Sequence, residues 1–331
     1  MKIAVVGCGA LGSYYGAMLC RAGHSVHFLL RTDYPTVRRQ GVRIESPQGS
    51  FCVRPRCARE PSAIGPSDLV LIGLKTTANH QFPLLLPPLV GPGTALLTLQ
   101  NGLGNEEALA RLFPAEQILG GLCFVCLNRI EPGLIRHLDH GRVVLGEFKR
   151  WPEPRTHEIA ALFRHAGVPC EVTDDLARVH WDKLVWNIPF NGLGVAGAAG
   201  LEAVLAGRLL PGGSPGPCLS TDRLLGDPRW HALVRELMLE VIHAARALGF
   251  DLPDALAETQ IARTLTMGAY QASTLVDFAR GQPLELQSLF LEPLRQATGA
   301  GVAVPRLGAL CAVLEELDAR REPVSPLSAP P

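Results

Sequence analysis

KIAVVGCGALGSYYGAML, residues 2–19, decides the fold. Residues 2–7 read as a strand, in which Ile3, Ala4, Val5 and Val6 follow one another without polar alternation, as in a strand buried on both faces of a parallel sheet. Gly7-Cys8-Gly9-Ala10-Leu11-Gly12 then has the G-x-G-x-x-G spacing, and residues 10–22 read as a helix. In this strand–turn–helix setting the first glycine permits a tight turn and the second lets a pyrophosphate approach the backbone. The third lets helix and strand pack closely. The phosphate meets a helix N-terminus, whose unpaired N–H groups and dipole favour an anion. Gly7, Cys8, Gly9, Ala10, Leu11 and Gly12 are therefore candidate dinucleotide-binding residues.

Outward from this unit, strands are predicted at 25–30, 68–74 and 94–100, and a short helix at 33–40. Residues 42–53 read as a hairpin turning at 47–49, and 134–148 as a second hairpin turning near Gly141, both at the far edge of the sheet. Alternation of strand and helix implies a doubly wound α/β domain over 1–173. From 174 to 320 the pattern is all-helical, with helices expected at 174–195, 227–248, 253–267, 283–298 and 305–317. Several start with proline, whose missing N–H costs nothing there. Residues 211–217 read as a flexible loop and 321–331 as a tail without fixed structure.

In an open α/β sheet the ligand crevice lies outside the carboxyl ends of the strands. Strand ends here run into Gly7, Arg31, Lys75 and Asn101, which converge on one rim. A NAD-binding domain commonly ends its second strand with Asp or Glu. The arginine here suits a ribose 2′-phosphate through its charge and forked donors, so NADP is expected as cofactor.

VHWDKLVWNIPFN, residues 179–191, is a second informative stretch. Lys183, Asn187 and Asn191 are four apart, and each such step turns a helix by only about 40° beyond a full turn. They form one polar stripe, shared by His180, on a helix otherwise covered by Trp181, Leu184, Val185, Trp186, Ile188 and Phe190. A surface helix has the narrower apolar arc, so this one is expected to be enclosed, with the stripe on a crevice. A lysine snorkelling from an apolar helix is the plain alternative. Pro189 deprives the Val185 carbonyl of its helical partner and predicts a kink.

The composition excludes several classes. Lys plus Arg (31) balance Asp plus Glu (31), so no overall basic field invites nucleic acid or an anionic membrane. No stretch reaches the roughly 18 apolar residues of a membrane span, and the apolar run at 3–6 is too short for a signal core. Nine scattered cysteines suit free thiols in a reducing cytoplasm. Cys123 and Cys126 with His137 and His140 loosely mimic a zinc set. The histidine spacing is too short for a zinc finger and the cysteines would face opposite sides of a strand, so no metal is expected.

The N-terminal segment, Arg31, LKTT (74–77), QNG (100–102), KLVWNIPFN (183–191) and STLVDFARGQPLELQ (273–287) together resemble the ketopantoate reductase family, the 2-dehydropantoate 2-reductases. The resemblance runs over nearly the whole chain. It implies a Rossmann domain followed by an all-helical domain, with reduction of 2-dehydropantoate to pantoate by NADPH in the cleft between them, on the route to pantothenate and coenzyme A. It makes Lys183 the proton donor and Asn187, Asn191 and Ser273 substrate ligands. Asn101 would stand between nicotinamide and substrate, Lys75 beside the cofactor, and Glu285 near both lysine and cofactor. Family members are monomers or homodimers.

Some positions depart from the family pattern. Ala272-Ser-Thr-Leu-Val276-Asp277 stands where P-S-M-x-Q-D is common, and Gly281-Gln-Pro-Leu-Glu285-Leu-Gln287 where G-R-x-x-E-I-D is common. A further asparagine about ten residues past Asn191 has no match, since Gly200 and Leu201 stand there. Residues 123–133 are bulkier than usual. These departures leave the hydride chemistry intact and bear on which branched 2-oxo acid is the substrate. A non-catalytic NADP-binding protein is the alternative of a different class.

Overall fold

The computed structural model describes residues 1–212 and 216–321. Part of the predicted loop at 211–217 and nearly all of the predicted tail at 321–331 therefore lie outside the described residues. Contacts divide the chain into two units, Met1–Leu176 and Ala177–Pro331.

The first unit is built on one sheet of ten strands: β1 (Lys2–Val6), β2 (Ser25–Leu29), β3 (Val42–Glu45), β4 (Phe51–Val53), β5 (Arg56–Ala58), β6 (Leu69–Ile72), β7 (Ala95–Thr98), β8 (Ile118–Glu131), β9 (Leu134–Glu147) and β10 (Cys170–Val172). Their order is β4-β3-β9-β8-β7-β6-β1-β2-β5, with β10 paired to β9. Strands β8, β7, β6, β1, β2 and β5 run parallel. Period-two alternation sends Ile3 and Val5 into one core, with Tyr15, Leu19 and Phe28, and Ala4 and Val6 into the other, with Phe82, Leu86 and Leu89. Burial on both faces explains why β1 shows no polar alternation.

The hairpin expected at 42–53 forms as β3 and β4, antiparallel at the sheet edge. The one expected to turn at Gly141 does not. Residues 134–147 form a single strand pairing with β8 across a turn at Pro132–Gly133. Gly141, at φ +132°, is the extra residue of a bulge opposite Phe124 and Val125. A bulge and a turn both want glycine, so the sequence alone favours the commoner device. His137 pins this bulge. It is 2% exposed, and its Nε2 faces the carbonyl oxygens of Asp139 (3.1 Å) and His140 (2.9 Å), so that nitrogen carries the proton. Among the described residues no His/Cys/Asp/Glu group is arranged to hold a metal ion. Short strands β5 and β10, without periodicity of their own, escape sequence reading.

The second unit is helical, its longer helices being Leu176–Asn187, Pro228–Ala247, Ala255–Leu265 and Pro305–Ala319. Pro228–Ala247 is capped by Asp227, whose Oδ1 accepts from the Arg229 and Trp230 amides at 2.8 and 3.2 Å. It buries Trp230, Leu233, Val234, Leu237, Met238, Val241 and Ile242, the stripe of an amphipathic helix. Its Glu240 carboxylate accepts from the Arg306 and Leu307 amides, each at 2.9 Å, and so caps the helix Pro305–Ala319. Among the described residues no helix is long and apolar enough to cross a membrane.

Candidate active site

In the first unit, Gly7, Arg31, Lys75 and Asn101 each follow the carboxyl end of a parallel strand, β1, β2, β6 and β7 respectively. The sheet order therefore sets them along one edge as Asn101, Lys75, Gly7, Arg31. Strands about 4.8 Å apart make that edge roughly 14 Å long from β7 to β2, the scale of an extended dinucleotide.

The glycine turn occupies the middle of the edge. Gly7 sits at φ +93°, and a Cβ there would lie 2.2 Å from the Leu74 amide nitrogen. A Cβ on Gly12 would lie 2.2 Å from the Gly7 carbonyl oxygen, so this glycine is required by the contact of helix Ala10–Arg21 with the turn. Gly9 is different, since a Cβ there would meet nothing within 4 Å. Packing within the protein does not require glycine at that position, but a pyrophosphate lying against the backbone does. The first amides of the helix point into the same space, because Ser13 donates the first intrahelical bond, to Gly9 O at 3.1 Å. The turn thus fits a dinucleotide.

A feature not read from the sequence supports Asn101. The Thr98 hydroxyl donates to Gln100 Oε1 (2.9 Å), Gln100 Nε2 to Asn79 Oδ1 (2.7 Å), Asn79 Nδ2 to Asn105 Oδ1 (2.9 Å), and Asn105 Nδ2 to the Asn101 carbonyl (3.1 Å). Every donor points the same way, and Thr98, Gln100 and Asn105 are at most 5% exposed. This relay orients the loop after β7, in which Gly102 and Gly104 both take positive φ.

In the second unit, Lys183 and Asn187 lie on the helix Leu176–Asn187, with Lys183 half-buried and Asn187 7% exposed. Pro189 does not end this run. Ile188–Leu193 continues as π-helix, whose wider turn spans the bond that proline cannot make. A step of four overshoots an α-turn but falls short of a π-turn, so the stripe straightens between Asn187 and Asn191.

Asn191 is 3% exposed, and its Oδ1 accepts from the Thr274 amide at 3.1 Å and from Ser273 Oγ at 3.5 Å. Ala272, at the start of helix Ser273–Ala279, has no side-chain cap to offer, and Asn191 supplies it from elsewhere in the chain. Asn191 and Ser273 are thus held together. Gly194 allows this approach: a Cβ there would fall 2.4 Å from Leu275 Cδ1.

Glu285 is 6% exposed. The helix expected from residue 283 starts only at Leu286, so Glu285 precedes it and is not a first-turn residue. The run continues as a second π-helix, Gln287–Leu291. It packs on the first, since a Cβ on Gly192 would lie 2.9 Å from Phe290 Cε1. Asn191-Gly-Leu-Gly194 is therefore the wall against which both the Ser273 and the Glu285 segments seat, a role carried by its two glycines and unseen in the sequence. His180, sharing the stripe, is 6% exposed.

An α/β unit with a dinucleotide turn, joined to a helical unit carrying a lysine among neutral amides, defines an NAD(P)-dependent oxidoreductase. Residues 3–150 match the family model for Ketopantoate reductase PanE/ApbA, and residues 218–318 that for Ketopantoate reductase PanE/ApbA C terminal. The chain is 40% identical over 325 residues, 96% of each chain, to a 2-dehydropantoate 2-reductase of Nostoc sp. strain PCC 7120. The crystal structure of 2-dehydropantoate 2-reductase from Geobacter metallireducens GS-15 superposes with a TM-score of 0.87 at 46% identity, covering 96% of this chain and 99% of that one. D-mandelate dehydrogenase with NADH and anilino(oxo)acetate has a TM-score of 0.82 at 19% identity, over 96% and 99%, which is a likeness of fold alone. The chain belongs to the ketopantoate reductase family.

Proposed function

We propose that the protein reduces 2-dehydropantoate to (R)-pantoate with NADPH, in the cytoplasm, on the route to pantothenate and coenzyme A. The observation that carries this reading is the stripe of Lys183, Asn187 and Asn191 with Ser273 held on Asn191: one amine beside three neutral hydrogen-bonding groups. The names of the relatives at 40% and 46% identity support it.

Bound NADPH supplies the hydride. The Gly7–Gly12 turn would hold the pyrophosphate, Arg31 the 2′-phosphate, and Lys75 and Asn101 the nicotinamide end. Hydride arrival at a ketone carbon builds negative charge on its oxygen, and the Lys183 ammonium both stabilises that charge and delivers the proton. Asn187, Asn191 and Ser273 bind the hydroxyl and carboxylate of the acid without adding charge. Their fixed orientation lowers the entropic cost of alignment.

Purified protein, NADPH and a panel of branched 2-oxo acids test the reading through loss of NADPH absorbance. 2-Dehydropantoate is expected to give the highest kcat/KM. Turnover only of another 2-oxo acid would replace the substrate, and turnover of none would favour a binding protein. Lys183→Ala is expected to lower kcat by about 10²- to 10⁴-fold with NADPH affinity unchanged.

A further inference from the structure

Asp33 lies four residues past the last residue of β2, within reach of the place where a dinucleotide-binding fold that uses NAD presents a carboxylate to the ribose 2′-hydroxyl. It is 7% exposed, and in residues 31–40 it is the acid among Arg31, Arg38 and Arg39. Its charge is felt at the glycine turn: burial raises the Cys8 thiol pKa well above the ordinary range, and Cys57 and then Asp33 push it further. Such a carboxylate beside a 2′-phosphate would repel it.

The carboxylate is engaged elsewhere. Arg129, near the outer end of β8, grips it with both arms of its fork: Nη2 donates to Oδ1 at 2.6 Å and to Oδ2 at 2.8 Å, and Nε to Oδ2 at 3.1 Å. The Thr32 hydroxyl adds a bond to Oδ1 at 3.1 Å. Both oxygens are thus saturated and the negative charge is matched. Arg31, two residues earlier, is exposed and makes no ion pair among the described residues. Tyr34, the next residue after Asp33, lies under the Arg59 guanidinium at 4.8 Å and binds Arg38 Nη1 through its hydroxyl at 3.0 Å, so the surroundings remain cationic.

We propose that Arg129 is a specificity-determining residue for the cofactor: by clamping Asp33 it withholds an acceptor from a ribose 2′-hydroxyl and cancels a charge that would repel a 2′-phosphate, leaving Arg31 to read that phosphate. The inference rests on the NADPH reading above and extends it to a residue 96 positions away from the one it controls. Arg129 acts through Asp33 and is not itself a ligand of the cofactor.

The test is the ratio of NADH to NADPH dissociation constants, from nucleotide fluorescence titrations that need no substrate. Arg129→Leu is expected to lower this ratio about tenfold, by weakening NADPH and strengthening NADH. Arg129→Leu with Asp33→Asn is expected to restore it to within about threefold of wild type. Arg129→Gln keeps a donor to Asp33 without the charge, is expected to give the same fall, and covers the case in which the leucine variant does not fold. A clamp that merely stabilises the fold would change melting temperature and leave the ratio unmoved, which would overturn the inference. A fall that persists in the double variant would overturn it too, by showing that Arg129 touches the phosphate directly. Equal wild-type affinity for the two cofactors would instead remove the NADPH reading, and this inference with it.

Discussion

Replacing Gly9 and Gly12 in turn by alanine separates what the glycine turn does for the protein from what it does for the ligand. At Gly12 the new Cβ would lie 2.2 Å from the Gly7 carbonyl oxygen and 3.3 Å from Val5 Cγ1. Ordinary contacts are nearer 3.5 Å, so turn and helix must part by roughly 1 Å. Such overpacking costs about 1–3 kcal/mol, offset by at most about 1 kcal/mol of helix propensity gained by alanine over glycine. Gly12→Ala should therefore lose about 1–2 kcal/mol of stability, and cofactor affinity with it, because the displaced atoms are the backbone of the turn.

At Gly9 the new Cβ meets nothing within 4 Å, and φ −73°, ψ −155° is ordinary backbone for alanine. Stability should stay within about 0.5 kcal/mol of wild type, the loss at the helix cap being balanced by a stiffer unfolded chain. The methyl group projects into the space proposed for the pyrophosphate, so NADPH affinity should fall at least about tenfold, or 1.4 kcal/mol. Urea unfolding and NADPH fluorescence titration read the two effects independently. A Gly9→Ala protein that binds NADPH within twofold of wild type would refute the placement of the pyrophosphate. Unchanged unfolding of Gly12→Ala would refute the packing argument.

The relay behind Asn101 predicts that Gln100→Leu, which removes the acceptor of the buried Thr98 hydroxyl proton and the donor to Asn79 Oδ1, costs about 2–3 kcal/mol in urea unfolding. It should lower kcat more than NADPH affinity, and a proportional loss of both would argue against a positioning role. Burial raises the Glu240 carboxyl pKa above its ordinary value of 4.5, more than the Arg306 and Leu307 amides and the Arg306 charge lower it. A carboxyl whose folded pKa is raised binds its proton more tightly when folded, so its contribution is fully present below 4.5 and is lost as pH rises through the raised value. Wild-type stability measured against Glu240→Gln should therefore decline with pH from 4.5 upward, by at most about 1.4 kcal/mol per unit, and a difference that rises with pH in that window would contradict the assignment.

Much of the fold was legible because its signals are local. The unpolar run of β1, the spacing of Gly7, Gly9 and Gly12, and the four-residue rhythm of Lys183, Asn187 and Asn191 each lie within one element and its turn. Proline and aspartate at the start of Pro228–Ala247 mark that boundary equally well. Gly141 was misread for the same reason. Its local meaning, a turn, is the commonest one, and only the partner strand made it a bulge. At Pro189 the proline removes a backbone bond, and the packing of one helical run on another made the result a π-turn.

The sequence by itself determined the class of each half, the dinucleotide turn and the polar stripe, since periodicity and backbone chemistry act over a few residues. Only the tertiary structure decided that Arg129 holds Asp33 across 96 residues, that Asn191 caps Thr274 across 83, and that an amide relay ends on Asn101. Those bonds join groups brought together by sheet order and helix packing. Their strength depends on burial and direction, which exist only once the chain has folded.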